Sequence, residues 1–145
     1  MLSESPSLLI EINTLFCSYL YFFSVIQNLF YFCWMIIVCQ SLFKNTKILG
    51  ITLYPFIFLR EKRLKNDKIL INHEKIHLRQ QAELLVVFFY LWYILVFFCW
   101  YISCQDWDTA YRKISFEKEA YDRENNLEYL KNRKLWSFLR YFNKW

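Results

Sequence analysis

Apolar and charged residues are sorted along this chain into long blocks. Leu15 to Cys39 is a run of 25 residues without a formal charge, rich in Phe, Tyr and Leu. At about 1.5 Å per residue a helix of that length crosses a bilayer. Its N-terminal flank holds Glu4 and Glu11 but no Lys or Arg, unlike a secretory signal peptide. Lys47 to Leu59 is β-branched and aromatic around Gly50 and Pro55; because proline donates nothing to a ladder, an edge strand or a hairpin is expected. A charged turn over Arg60 to Asp67 follows, with Asn66 or Asp67 as N-cap of a helix that is expected to run unbroken into Leu84 to Cys104. That second uncharged run is also long enough to span. From Asp106 to Asn132 a 3.6-residue period gathers Trp107, Ala110, Ile114, Glu117, Tyr121 and Glu128 on one face, with Glu119 on the opposite, charged side. Leu130 to Trp145 mixes Trp, Phe and Leu with basic residues, which suits a helix lying in a membrane interface.

This pattern predicts a mainly α, membrane-associated protein with a short edge strand or hairpin before its central helix. Residues 1–43 form an N-terminal hydrophobic anchor. Residues 44–145 form one small domain with a hydrophobic helical insertion at 84–104.

Composition sharpens the class. The chain is 57% hydrophobic and 22% aromatic, with one glycine and two prolines, too few breakers for a turn-rich β protein. Its net charge of +5 is concentrated in two blocks, Arg60 to Arg79 and Lys131 to Lys144, which flank apolar segments. Basic residues so placed meet anionic headgroups, so a lipid bilayer is the expected partner and nucleic acid is not. Lys44 and Lys47 follow the first apolar run, which places the rest of the domain on the cytoplasmic side of a bacterial inner membrane. Cys17, Cys33, Cys39, Cys99 and Cys104 are odd in number, lie in apolar stretches and form no Cys-x-x-Cys pair, so they read as small hydrophobes.

The chemistry is concentrated at Asn72-His73-Glu74-Lys75-Ile76-His77, which contains the pattern His-Glu-x-x-His and both histidines of the chain. Four-residue spacing puts His73 and His77 one turn apart on one helical face, where two imidazoles can share a Zn2+ ion. Glu74 lies about a quarter-turn round, placed as a general base toward water activated by that ion. The bland alternative is a pair of ordinary histidines.

Two histidines need a third ligand, and Glu117 is the carboxylate that interrupts the apolar stripe. Here Glu117-Lys118-Glu119-Ala120 resembles the gluzincin class of zinc metallopeptidases, whose third ligand is a glutamate in a Glu-x-x-Ala helix downstream of His-Glu-x-x-His. The span from Lys47 to Phe142 also looks like a small family of bacterial membrane-associated proteins bearing Asn-His-Glu-Lys-Ile-His and Phe-Glu-x-Glu-Ala-Tyr; residues 1–43 lie outside the resemblance. It implies a minimal gluzincin-like fold with the Glu117 helix antiparallel to the histidine helix. Metal ligands would be His73, His77 and Glu117, with Glu74 catalytic. Many gluzincins carry Asp four residues after the ligand glutamate, where this chain has Tyr121; Tyr121 or Asp122 would have to support a histidine. Tyr54, Tyr111 and Tyr121 are candidates for stabilising an oxyanion.

The expected function is therefore a membrane-associated zinc metallopeptidase acting on membrane-proximal peptide or protein substrates, approached along the edge at Thr52 to Phe58. The alternative is a non-enzymatic membrane protein, a sensor or assembly factor, with a structural or vestigial metal site. One demand follows. A straight helix over 84–104 would carry Asp106 roughly 40 Å from His77, so the chain must fold back, and the aromatic stretch Tyr90 to Tyr93 is the expected bend.

Overall fold

In a computed structural model the described residues are 34–142, together with Thr14, Ser18 and Tyr21. Most of the first apolar run, Leu15 to Cys33, lies outside them. The run's last residues are not helical. Met35–Val38 is a strand, β1, which pairs in parallel with β3 (Phe56–Leu59); β2 (Gly50–Leu53) pairs antiparallel on the other side of β3, giving the order β1-β3-β2. Residues 34–43, expected as part of the anchor, therefore belong with the downstream unit, which begins at Trp34. Pro55 sits in the turn of the β2–β3 hairpin, where no ladder N–H is required of it.

The sheet covers α1 (Lys68–Glu83). Alternation puts Ile57 and Leu59 inward against Ile71 and Leu78, while Ile51 and Leu53 on the neighbouring strand face out. Asp67 caps α1, its carboxylate accepting from the Ile69 and Leu70 N–H groups at 3.1 and 3.0 Å.

The helix does not run on. Leu84 to Val86 form a turn in which Leu85 and Val86 have φ of 55° and 50°, and α2 (Val87–Cys104) leaves in a new direction. The expected bend at Tyr90 to Tyr93 is absent; α2 is continuous through it. Gln105, left-handed at φ 51°, closes α2, and α3 (Trp107–Lys113) packs back along it. Extended backbone at Ile114 separates α3 from α4 (Ser115–Arg123). A short α5 (Tyr129–Asn132) and a 3-10 turn over Ser137–Tyr141 complete the unit, in place of a long terminal interfacial helix. A second core of Phe89, Phe97, Ala110, Ile114, Phe116 and Phe138 holds α2, α3, α4 and the 3-10 turn together. The mainly helical class is observed, with a three-stranded sheet.

The predicted α3–α4 stripe is half right. Ala110, Ile114 and Glu117 are buried, but Trp107, Tyr121 and Glu128 are exposed. Glu119, expected outside, is fully buried.

Candidate metal centre

His73 and His77 project from one face of α1, and α4 passes that face in the opposite sense: Gln80 meets Phe116 and Glu119, His77 meets Glu117, and His73 meets Glu124. The fold-back thus places Glu117 beside both imidazoles. His73 Nε2 and His77 Nε2 are 3.1 Å apart, Glu117 Oε2 is 3.7 Å from the first, and Oε1 is 3.4 Å from the second. A tetrahedral ion with bonds of about 2.0–2.1 Å has ligand–ligand edges of roughly 3.4 Å, the mean of this triangle. The three side chains form a group able to hold a metal ion.

Proton placement makes the fit chemical as well as metric. His77 Nδ1 lies 2.8 Å from Gln80 Oε1, and the Gln80 amide is oriented by its own Nε2, which donates to Phe116 O at 3.1 Å and Glu119 Oε2 at 2.9 Å. Gln80 Oε1 is therefore an acceptor and His77 Nδ1 carries hydrogen. His73 Nδ1 likewise donates to Glu124 Oε2 at 2.9 Å. Both neutral rings then turn Nε2 lone pairs toward one point, where Glu117 adds a carboxylate whose Oε2 is buried without a hydrogen-bond donor. Three lone pairs facing inward call for a cation.

Without a metal, a proton takes that role. Burial opposes charge on His77, yet the Glu117 carboxylate lifts its pKa to about 9. Burial would likewise raise Glu117, but the imidazoles, His77 foremost, hold it well below the carboxylate range.

Glu117 occupies the first turn of α4, where a carboxylate suits the helix dipole. Tyr93, half-way along α2, donates to Glu117 Oε1 at 2.8 Å, so the aromatic middle of α2 contributes to the site rather than to a bend. Asn72 fastens the far end of α4 by donating to the carbonyls of Glu124 and Asn126 at 2.8 and 3.1 Å, which fixes Glu124 beside His73.

Glu74 points to the sheet. Its carboxylate accepts from the Thr52 hydroxyl and packs on Gly50, where a Cβ would stand 2.6 Å from Oε1. The chain's only glycine is thus a point of close approach. Burial raises the Glu74 pKa, while His77 and the Thr52 hydrogen bond act against that rise; a base shifted upward in this way suits proton transfer near neutrality.

Several expectations are corrected here. Neither Tyr121 nor Asp122 supports a ligand histidine through a hydrogen bond: Tyr121 lies edge-on to the His73 ring, centroids 4.8 Å apart, and Asp122 accepts from the Tyr141 hydroxyl at 2.6 Å. Gln80 and Glu124 hold the rings instead. Arg133 is not a headgroup contact. It is buried between Glu119, at 2.6 Å, and Glu83, and so anchors the carboxylate that orients Gln80. The strand edge is not open along Thr52 to Phe58, because β3 is central and Gln81 bonds both Thr52 O and Tyr54 N–H.

No family model matches the chain, and neither a curated protein nor a solved structure does.

Proposed function

We propose that this protein is a membrane-associated zinc metallopeptidase of gluzincin-like design, with His73, His77 and Glu117 as metal ligands and Glu74 as general base. The observation that carries this reading is the convergence of two Nε2 lone pairs and an unbonded carboxylate oxygen at the spacing of a tetrahedral site. Two imidazoles and one carboxylate are a donor set suited to zinc and leave a fourth position open. Zinc bound there supplies a Lewis acid and activates water at neutral pH.

The chain's own groups account for the rest. Glu74, buried and upshifted, receives a proton from water and returns it to the departing amine. Thr52 and Gly50 fix its carboxylate, so little reorientation is needed. Gln80 and Glu124 lock both rings with Nδ1 protonated. Substrates are peptides close to a membrane surface.

The near-complete burial of the three ligands, 2–7% exposed, also suits a closed structural site, and Glu74 separates the two readings. A structural site has no need of a base, so Glu74→Gln would leave such a protein unchanged. In the enzyme it abolishes peptide cleavage while keeping about one zinc per chain. Purified chain from zinc-replete cells that holds no metal overturns both.

A further inference from the structure

We propose that the uncovered face of α2 is a lipid-docking surface lying in the plane of one leaflet, so that the domain rests on the membrane through α2 rather than crossing it. This rests on the membrane-association part of the reading above and gives it an orientation.

α2 is apolar on every side, and length and composition alone would let it cross a bilayer. Only one side is covered. Phe89 and Phe97 face the core, with Tyr93 between them, whereas Phe88, Leu91, Leu95, Phe98 and Ile102 are 54–75% exposed and follow the opposite side at helical spacing. An apolar strip along an 18-residue helix, about 27 Å long, is far more than the scattered apolar residues of an ordinary wet surface.

Its continuation points to lipid as the occupant. Trp92 meets Phe142 with ring centroids 5.9 Å apart, and the neighbouring C-terminal segment exposes Leu135, Trp136 and Leu139 next to exposed Lys134 and Arg140. Tryptophan and basic side chains bordering an apolar strip match an anionic headgroup layer over acyl chains.

The polar neighbours exclude crossing. α3 packs back along α2 and carries exposed Asp108 and Arg112, with exposed Asp106 as its N-cap. Glu117 is level with Tyr93 in mid-helix, and Asp122 is exposed one turn further along α4. A spanning α2 would draw all of these to hydrocarbon depth, where ionised side chains are costly. Lying flat, α2 leaves them in water and sets the metal cluster near the surface.

The test uses the full chain in sealed vesicles of phosphatidylcholine and phosphatidylglycerol containing an acyl-chain photoactivatable lipid, with crosslinks mapped by mass spectrometry. Crosslinks are expected on the Phe88–Ile102 face and at Leu135 to Leu139, and to fall at least tenfold on α2 in Leu91→Glu/Leu95→Glu/Phe98→Glu while those within residues 15–33 persist. Cysteines placed by Asn66→Cys and Gln105→Cys are expected to react equally with an impermeant maleimide added from one side. Reaction from opposite sides, or crosslinks confined to residues 15–33, overturns the in-plane placement. Crosslinking of α2 to a second copy in place of lipid also overturns it. Absence of lipid crosslinks anywhere refutes membrane association itself. None of these readouts needs metal or turnover, so failure of the zinc site leaves them unchanged.

Discussion

Gly50→Ala is the most exacting test of how Glu74 is held. A Cβ on residue 50 would lie 2.6 Å from Glu74 Oε1 and 3.1 Å from its Cδ, whereas ordinary contact begins at 3.4 Å. Clearing the oxygen needs a displacement of about 0.8 Å, the difference between 3.4 and 2.6 Å. Displacements near 1 Å at a reacting group can cost roughly 100-fold in rate, so turnover should fall by about that factor. Loosening the Thr52 hydrogen bond should cost about 1 kcal/mol of stability. Because the three ligands do not touch residue 50, bound zinc should stay near one per chain. The assay pairs metal analysis with cleavage of a peptide library, scored by mass spectrometry for new termini. Ile51→Ala, on the outward face of the same strand, should behave as wild type. Full turnover in Gly50→Ala would refute the claim that the strand positions the base.

Four further outcomes follow from the same geometry. His73→Ala and Glu117→Ala should each lose stoichiometric zinc on dialysis, read by metal analysis. Gln80→Leu removes the acceptor of His77 Nδ1–H and should weaken zinc binding by roughly 10–100-fold in competition with a chelator. Arg133→Met leaves Glu83 and Glu119 buried without their cation and should cost about 3–5 kcal/mol in denaturant unfolding. In the metal-free chain the His77 pKa is raised from 6.5 to about 9, so its contribution to stability is complete below 6.5 and lost as pH rises through about 9. Zinc uptake near pH 7.5 should accordingly release about one proton per chain, measured by calorimetry in buffers of different ionisation enthalpy.

The ligand set was legible in the sequence because each member left a local mark. The histidines share a helical face by their spacing, and Glu117 stands out as a charge within an apolar stripe. Glu119 gave no such mark: two residues from Glu117 on a short helix, it was assigned to solvent, and only Arg133, fourteen positions later, makes its burial tolerable. Gln80 and Glu124 were missed for a similar reason, since a glutamine and a glutamate in charged helices signal nothing until α1 and α4 meet. The need for a fold-back followed from chain length and the position of Glu117. Its place did not, because Leu85 and Val86 adopt positive φ without the glycine or asparagine that usually announces it. The strand at Met35–Val38 was hidden within a run whose composition suits a membrane helix equally well.

The Gln81 amide has a consequence beyond the site. By accepting from Tyr54 N–H and donating to Thr52 O, at 2.9 and 3.0 Å, it imitates the peptide group of an absent fourth strand and closes the outer rim of β2. Concentrated on a two-dimensional surface, copies of a chain with a bare, flat, apolar rim would zip together into ribbons. A single carboxamide from the zinc helix denies them that template.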